Sequence, residues 1–327
     1  TYYVENGIDI NVLVPEGKNL GLTSLTINEE DPSTASKVAK NTLTITGNSY
    51  SDGALALTIT LPETEVVLEE GLTATCQANA FGAITMNQIS LDGLVVAADQ
   101  KTGAITYPTA SKGGGLVVEQ GATAGNITKY GAGDIVINGT AGTVALNGTG
   151  AISVEGQNDD NGSLVKAVVG KITTGADAGD ITIKNATDIN IDNLTNAAEG
   201  NAISIENVEK LDCYAGAAGS LAVKTVSNLG VVSSTTKTKV TIDGITGVQS
   251  TNSIAIGATT GTNTGGLEIK NVTGNIALKS VTYYGSGDVS ITGLVKSNAY
   301  PTLTKVIVNQ DATDLHFSSR SEERRVG

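Results

Sequence analysis

The sequence predicts an all-β chain: a parallel β-solenoid with coils of about 20 residues, preceded by a less regular β region. Three observations predict it. Short apolar-x-apolar triplets rich in Ile, Val and Thr recur along the chain, Gly and Asn punctuate them, and the composition suits a narrow core of aliphatic side chains. Of 327 residues, 40 are Gly, 9 Tyr, 2 Phe and none Trp; only 5 are Pro and 16% are charged. A disordered chain would be poorer in Ile, Val and Leu. A compact enzyme of this length would carry more aromatic and charged residues. No apolar run reaches the roughly 20 residues that a membrane-spanning helix needs.

The strand signal is clearest from Asp180 onward. Ile181-Thr182-Ile183, Ile203-Ser204-Ile205, Leu221-Ala222-Val223, Val240-Thr241-Ile242, Leu267-Glu268-Ile269, Val289-Ser290-Ile291 and Val306-Ile307-Val308 read as one strand per coil. Their first positions step by 22, 18, 19, 27, 22 and 17 residues. A second triplet follows several of them: Ile189-Asn190-Ile191, Leu211-Asp212-Cys213, Leu229-Gly230-Val231 and Ile276-Ala277-Leu278. The same beat runs upstream through Leu116-Val117-Val118, Ile135-Val136-Ile137, Val144-Ala145-Leu146 and Ile152-Ser153-Val154.

The corners repeat too. Gly-Asp precedes the strand at Asp134, Asp180 and Asp288, and Asn or Gly follows it at Asn207, Gly244, Asn271 and Gly293. Gly and Asn tolerate positive φ at low cost, which a tight corner between strands needs. Asp134, Asp180 and Asp288 are expected to bond the local corner backbone as Asx turns; a row of cation sites is the rival reading.

In such a stack each coil saturates the backbone of the next through parallel hydrogen bonds about 4.8 Å apart. Inward side chains then stack on their equivalents, and small outward Thr, Ser and Ala give a flat wall. Ile183 and Ile269 are expected to face inward and to reject a carboxylate. Thr182 and Glu268 are expected to face outward and to tolerate change. Thr260 and Asn263, in the 27-residue step, are expected in a projecting, insertion-tolerant loop. A series of antiparallel sandwiches would instead show tight hairpins and an aromatic core.

The chain is divided as 1–110, an irregular β region forming either the first coils or a separate β module; 111–319, the solenoid; and 320–327. Within the first part Ile8–Val12, Leu43–Ile45, Leu57–Ile59, Val66–Leu68 and Leu91–Leu94 read as strands, Glu29 to Ser36 as a polar loop, and Ala104 to Gly115 as the boundary. All three Arg lie in Arg320 to Gly327, whose RSEERRVG string reads as an in-frame remnant of a sequencing adapter. The chain opens on Thr1 without a charged-then-apolar leader and reads as an internal piece of a longer protein.

The strings ITIKN, ISIEN, VTIDG, LEIKN and VSITG, one per coil, resemble right-handed parallel β-helix proteins of the pectin-lyase-like type. That resemblance covers about two thirds of the chain and implies architecture rather than activity. The class includes polysaccharide lyases and hydrolases, phage tailspikes, and bacterial and archaeal surface adhesins.

Catalytic machinery of that class is sparse here. The lyase-like site, which resembles a Ca²⁺-binding Asp cluster with a basic residue, commonly Arg, lacks its Arg. Of the hydrolase-like motifs only the Asp159-Asp160 pair is matched, within the loop Gly156 to Gly162. Asp159 and Asp160 are therefore the weak candidates for acid–base glycoside hydrolysis, and Asp159, Asp160 and Asn161 for a weakly held Ca²⁺. A solvated acidic loop is the preferred reading, with no catalytic residue, metal or cofactor assigned. Cys76 and Cys213 are too far apart along such a stack to pair, and read as buried fillers. His316 reads as a surface or cap residue. Asn126, Asn138, Asn147, Asn161, Asn185, Asn193 and Asn271 stand in N-x-S/T sequons and are candidate glycosylation sites.

The net charge is −13, which opposes binding to nucleic acid or anionic lipid. These readings point to a non-enzymatic, extracellular or cell-surface structural or adhesive protein: a stalk, adhesin segment or fibre subunit. A carbohydrate-active β-helix enzyme is the alternative, and a subunit stacking end to end through its terminal β-edges is a third reading. The expected partners are carbohydrate, other surface proteins or further copies of the chain.

Overall fold

A computed structural model describes residues 94–96, 98–99, 101–109, 114–192, 201–216, 219–257, 263–273 and 278–292 in full. Elsewhere it describes only the backbone of strands between Tyr2 and Ser319. The described residues are all-β, without a helix, and nearly every strand pairs in parallel in a large sheet consistent with a β-solenoid. The chain divides into two compact units, Thr1–Gly170 and Lys171–Gly327.

In the first unit, strands alternate between two ladders. One runs Tyr2–Val4, Ser24–Glu29, Leu55–Thr60, Phe81–Met86, Ile105–Tyr107, Ile127–Lys129 and Thr140–Leu146. The other runs Asp9–Val14, Asn41–Gly47, Thr64–Leu68, Leu94–Val96, Leu116–Val118, Ile135–Ile137 and Ile152–Glu155. The register is unbroken from Leu94↔Leu116 and Ile105↔Ile127 onward, so strands on both sides of the Ala104 to Gly115 segment share ladders. Alternation does the rest: Leu116 and Val118 are buried and Val117 half-buried, and Ile135, Val136 and Ile137 repeat the pattern one rung on. Among the described residues, an antiparallel hairpin pairing Gln157–Asn158 with Leu164–Val165 leaves the ladders.

In the second unit, Ile181–Leu194, Ala202–Ala215, Ser220–Ser234, Val240–Ile245, Leu267–Lys270, Val289–Leu294 and Leu315–Ser319 form one ladder. The later halves of the three long strands pair with one another, and from Ser220–Ser234 that column continues into Val248–Ile256, then Val281–Tyr283, then Val306–Val308. Register partners Ile183, Ile205, Val223, Ile242, Ile269 and Ile291 are all buried, one above another. Burying each such side chain stabilises the fold by about 1.5–3 kcal/mol, which explains how a core can be built without Trp.

Three expectations are corrected by the register and the burial. Val306–Val308 does not follow Val289 in its ladder: it pairs with Val281–Tyr283, and Val289 pairs with Leu315. Both ladders use the same aliphatic triplet, so spacing alone points to the wrong column. Val231 is not inward, because an irregularity between Leu229 and Val231 shifts the phase and buries Val232 instead. A Cβ on Gly230 would collide with the Asp212 carboxylate and the Gln249 amide, so glycine there lets those two side chains lie over the bulge. Asn263 does not project; it is fully buried and densely hydrogen-bonded. Glu268, by contrast, stands in the outward phase between buried Leu267 and Ile269, and its carboxylate pairs with Lys239 and Lys270. Cys76, Thr260, Ile276, Ala277 and Arg320 to Gly327 lie outside the described residues, as do residues 30–36 and 91–93.

Candidate functional site

The polar chemistry of the second unit is arranged in lanes, each lane being one register position repeated from rung to rung. Just past the buried triplet the lane reads Lys184, Glu206, Lys224, Asp243, Lys270, so charge alternates in sign at every step. Lys224 Nζ lies 2.7 Å from Glu206 Oε1, and Lys270 Nζ lies 3.7 Å from Asp243 Oδ2. The hydrogen bond from Lys224 holds the Glu206 carboxyl below its usual range and raises the lysine in turn. Lys210 and Asp188 make a second such step at 2.7 Å, and Lys239 lowers Glu268 from 2.9 Å. Each pair lies at the surface, with Asp243 and Glu268 half-buried, and is worth at most about 1 kcal/mol.

The next position along the strand is left-handed on these five rungs: Asn185, Asn207, Thr225, Gly244 and Asn271 have φ of 54°, 54°, 57°, 75° and 53°. Asn207 Nδ2 donates to Asn185 Oδ1 at 2.7 Å, which continues the stacking through side chains. The corner composition noted in the sequence thus has a backbone cause.

The acidic corners act across rungs rather than locally, which corrects the Asx-turn expectation for Asp134 and Asp180. Asp134 Oδ1 accepts the Ala151 N–H at 2.8 Å and Asp180 Oδ1 accepts the Ala202 N–H at 2.7 Å. The backbone carbonyl of Asp288 accepts the Leu267 N–H.

The loop carrying Asp159, Asp160 and Asn161 is the tip of the antiparallel hairpin. Asp159 Oδ1 accepts the N–H groups of Asn161 and Ser163 at 2.9 and 2.7 Å, and Gly162 N–H bonds the Asp159 carbonyl. One Asp159 oxygen is thereby committed to shaping its own turn, while Asp160 is exposed. Among the described residues no three His, Cys, Asp or Glu side chains cluster so as to hold a metal ion. Of the sequon asparagines, Asn126, Asn147, Asn161 and Asn271 are exposed, while Asn138 and Asn185 are half-buried. Asn271 donates to Asp243, and Asn126 Oδ1 accepts the Thr143 N–H. The side chains of Asn193 and His316 lie outside the described residues; His316 shares the register position of Ser290.

Two buried groups remain. Cys213 is a fully buried free thiol whose pKa burial pushes up to about 12, which makes it inert filler. Lys129 is fully buried, a placement its triplet Ile127-Thr128-Lys129 conceals because lysine stands where the pattern wants an aliphatic. Its ammonium donates to the Ala132 carbonyl and lies 5.1 Å from the ring centroid of Tyr107, its register partner. Burial lowers its pKa to about 8, partly offset by Asp134, and burial raises the Tyr107 phenol, whose hydroxyl donates to the Gly115 carbonyl at 2.6 Å. No family model matches the chain, and neither a curated protein nor a solved structure does.

Proposed function

We propose that this chain is a right-handed β-solenoid module of an extracellular or cell-surface protein, a stalk, adhesin segment or fibre subunit, with a structural and adhesive role rather than a catalytic one. The observation that carries the reading is where the described charged groups go. In the lane Lys184, Glu206, Lys224, Asp243, Lys270 the ion pairs Glu206–Lys224 and Asp243–Lys270 join neighbouring rungs, and Asp134, Asp180 and Asp212 each hold a backbone N–H one rung on. Charges spent in this way resist slippage of a long parallel stack under load. Register steps of 17 to 27 residues support coils of about 20 residues.

The experiment is a turnover assay on acidic and neutral polysaccharides, read as reducing ends and unsaturated uronate, beside single-molecule extension. Structural duty predicts no release and unravelling in steps of one coil, each about 70 Å of chain. Sustained release of sugar would overturn the reading in favour of a carbohydrate-active enzyme.

A further inference from the structure

Tyr214 is the one aromatic among the described residues that the fold leaves prominently in solvent, with 43% of its surface exposed. Tyr107 and Tyr283, by contrast, are fully buried. It stands at the outward phase of its strand: Leu211, Cys213 and Ala215 are buried while Asp212 and Tyr214 alternate with them. Its register partners on the following rungs are Ser233, then Ala255, then Thr282. None of these reaches further than a threonine. Beside the ring there is therefore a flat terrace three rungs long, about 14 Å at the parallel-strand spacing.

A fixed carboxylate borders the terrace. Asp212 is two residues away on the same face, about 7 Å along the strand. Its Oδ1 is held by the Val231 N–H at 2.8 Å, and Gln249 Nε2 stands 3.4 Å from its Oδ2. Gly230 makes the approach possible, since a Cβ there would collide with both side chains. Asp212 is thus oriented by the backbone while Oδ2 keeps acceptor capacity.

We infer that Tyr214 and the terrace Ser233–Ala255–Thr282, with Asp212 and Gln249 at its margin, form a stacking subsite for a neutral saccharide chain. The inference rests on the adhesive reading above. A tyrosine ring offers an apolar face to the C–H face of a pyranose and a hydroxyl at its edge. The carboxylate, the amide and the Ser233 hydroxyl supply partners for sugar hydroxyls. A net charge of −13 opposes an acidic polymer, which selects the neutral class. A protein partner would want a broad apolar centre rather than one ring on a floor of small residues.

The test is calorimetric titration of the full chain with neutral gluco-, manno-, galacto- and xylo-oligosaccharides, with oligogalacturonate as the charged control. At least one neutral oligosaccharide is expected to bind, and Tyr214→Ala to weaken it about tenfold or more. Tyr214→Phe should stay within about threefold, because the stacking face survives. Ser233→Gln, which fills the terrace, should weaken binding while leaving the melting profile unchanged, and it decides the matter if Tyr214→Ala does not fold. Failure of every neutral oligosaccharide to bind, preference for oligogalacturonate, full affinity in Tyr214→Ala, or full affinity in Ser233→Gln where Tyr214→Ala does not fold overturns the subsite. Reducing ends released in the same samples would overturn the non-catalytic reading instead, leaving a Tyr214-dependent affinity standing.

Discussion

Asp180 and Ala202 occupy the same place on successive rungs, and Oδ1 of the first accepts the backbone N–H of the second at 2.7 Å. Four other positions repeat the relationship: Asn126 with Thr143, Asp134 with Ala151, Asp212 with Val231 and Asn252 with Lys279. At each, a side-chain oxygen receives an N–H either just before a strand begins or where the register shifts. Asp and Asn suit the place because their oxygen is one carbon from the backbone, short enough to reach straight up the stack.

Asp180→Ala should cost about 1 kcal/mol, the net worth of one hydrogen bond, and Asp180→Asn well under half of that because Oδ1 remains an acceptor. Urea titration of the two variants against the parent checks it. Equal losses in both would mean that the carboxylate charge, not the bond to Ala202, matters there.

Thr225 is the anomaly of the left-handed lane. Its φ of 57° is shared by Asn185, Asn207 and Asn271 and by Gly244, but Thr is β-branched and the others are suited to it. Thr225→Asn should stabilise by about 0.5–1 kcal/mol by relieving that strain. It also places an amide beside Asn207, extending the bond between Asn207 and Asn185. The melting temperature should rise by about 2 °C, and a fall would refute the reading.

Much of the ladder is legible in the amino-acid pattern. Six of the seven triplets from Ile181 on fall into one ladder, and the Asn and Gly corners coincide with positive φ. Column assignment is not legible where both columns use the same aliphatic motif, as with Val306 and Leu315. Nor is the phase change at Gly230, since a bulge adds a residue without altering composition. The roles of polar residues are the least visible. Asp134 and Asp180 look like turn formers in sequence, and only the register shows that their partners are 17 and 22 residues away. Tyr214 carries no local signal beyond its outward phase beside Cys213.

Asn263 lies in the step that suggests a tolerant loop, yet its side chain joins several buried groups. Nδ2 donates to the carbonyls of Thr236 and Thr238 at 2.7 and 2.8 Å; Oδ1 accepts from Gly266 N–H and the Tyr283 hydroxyl. The Tyr283 hydroxyl in turn accepts the Gly287 N–H at 3.0 Å. Asn263→Ala should cost about 3 kcal/mol or more, since it strands several buried polar groups at once. Thr264→Ala, at the exposed neighbour, removes only the solvent-exposed bond from its hydroxyl to the Lys237 carbonyl and should cost about 1 kcal/mol or less. Thermal melts of the pair measure the contrast.

Lys129 should make stability depend on pH in a direction unusual for lysine. Its pKa is about 8 in the folded chain against an ordinary 10.5, because burial disfavours the ammonium more than Asp134 favours it. Between those values the unfolded chain binds the proton and the folded chain does not. Stability therefore rises with pH across that window, and below pH 8 the full penalty of the buried charge is present. The gain between about pH 7 and 9.5 should be about 2 kcal/mol. Tyr107 bounds the range from above: its raised phenol pKa means the unfolded chain loses that proton first, so stability falls again beyond about pH 10. Lys129→Met keeps the length of the side chain and removes the charge, at the cost of leaving the Ala132 carbonyl without this donor. It should stabilise the chain at about pH 7 by about 1–3 kcal/mol, with the difference shrinking toward about pH 9.5. Denaturant titrations of both proteins at several pH values across that window resolve the slope. A difference that stays constant with pH would show that Lys129 does not titrate in the folded chain, and a destabilised variant would show that the bond to Ala132 and the Tyr107 ring outweigh the desolvation of the ammonium.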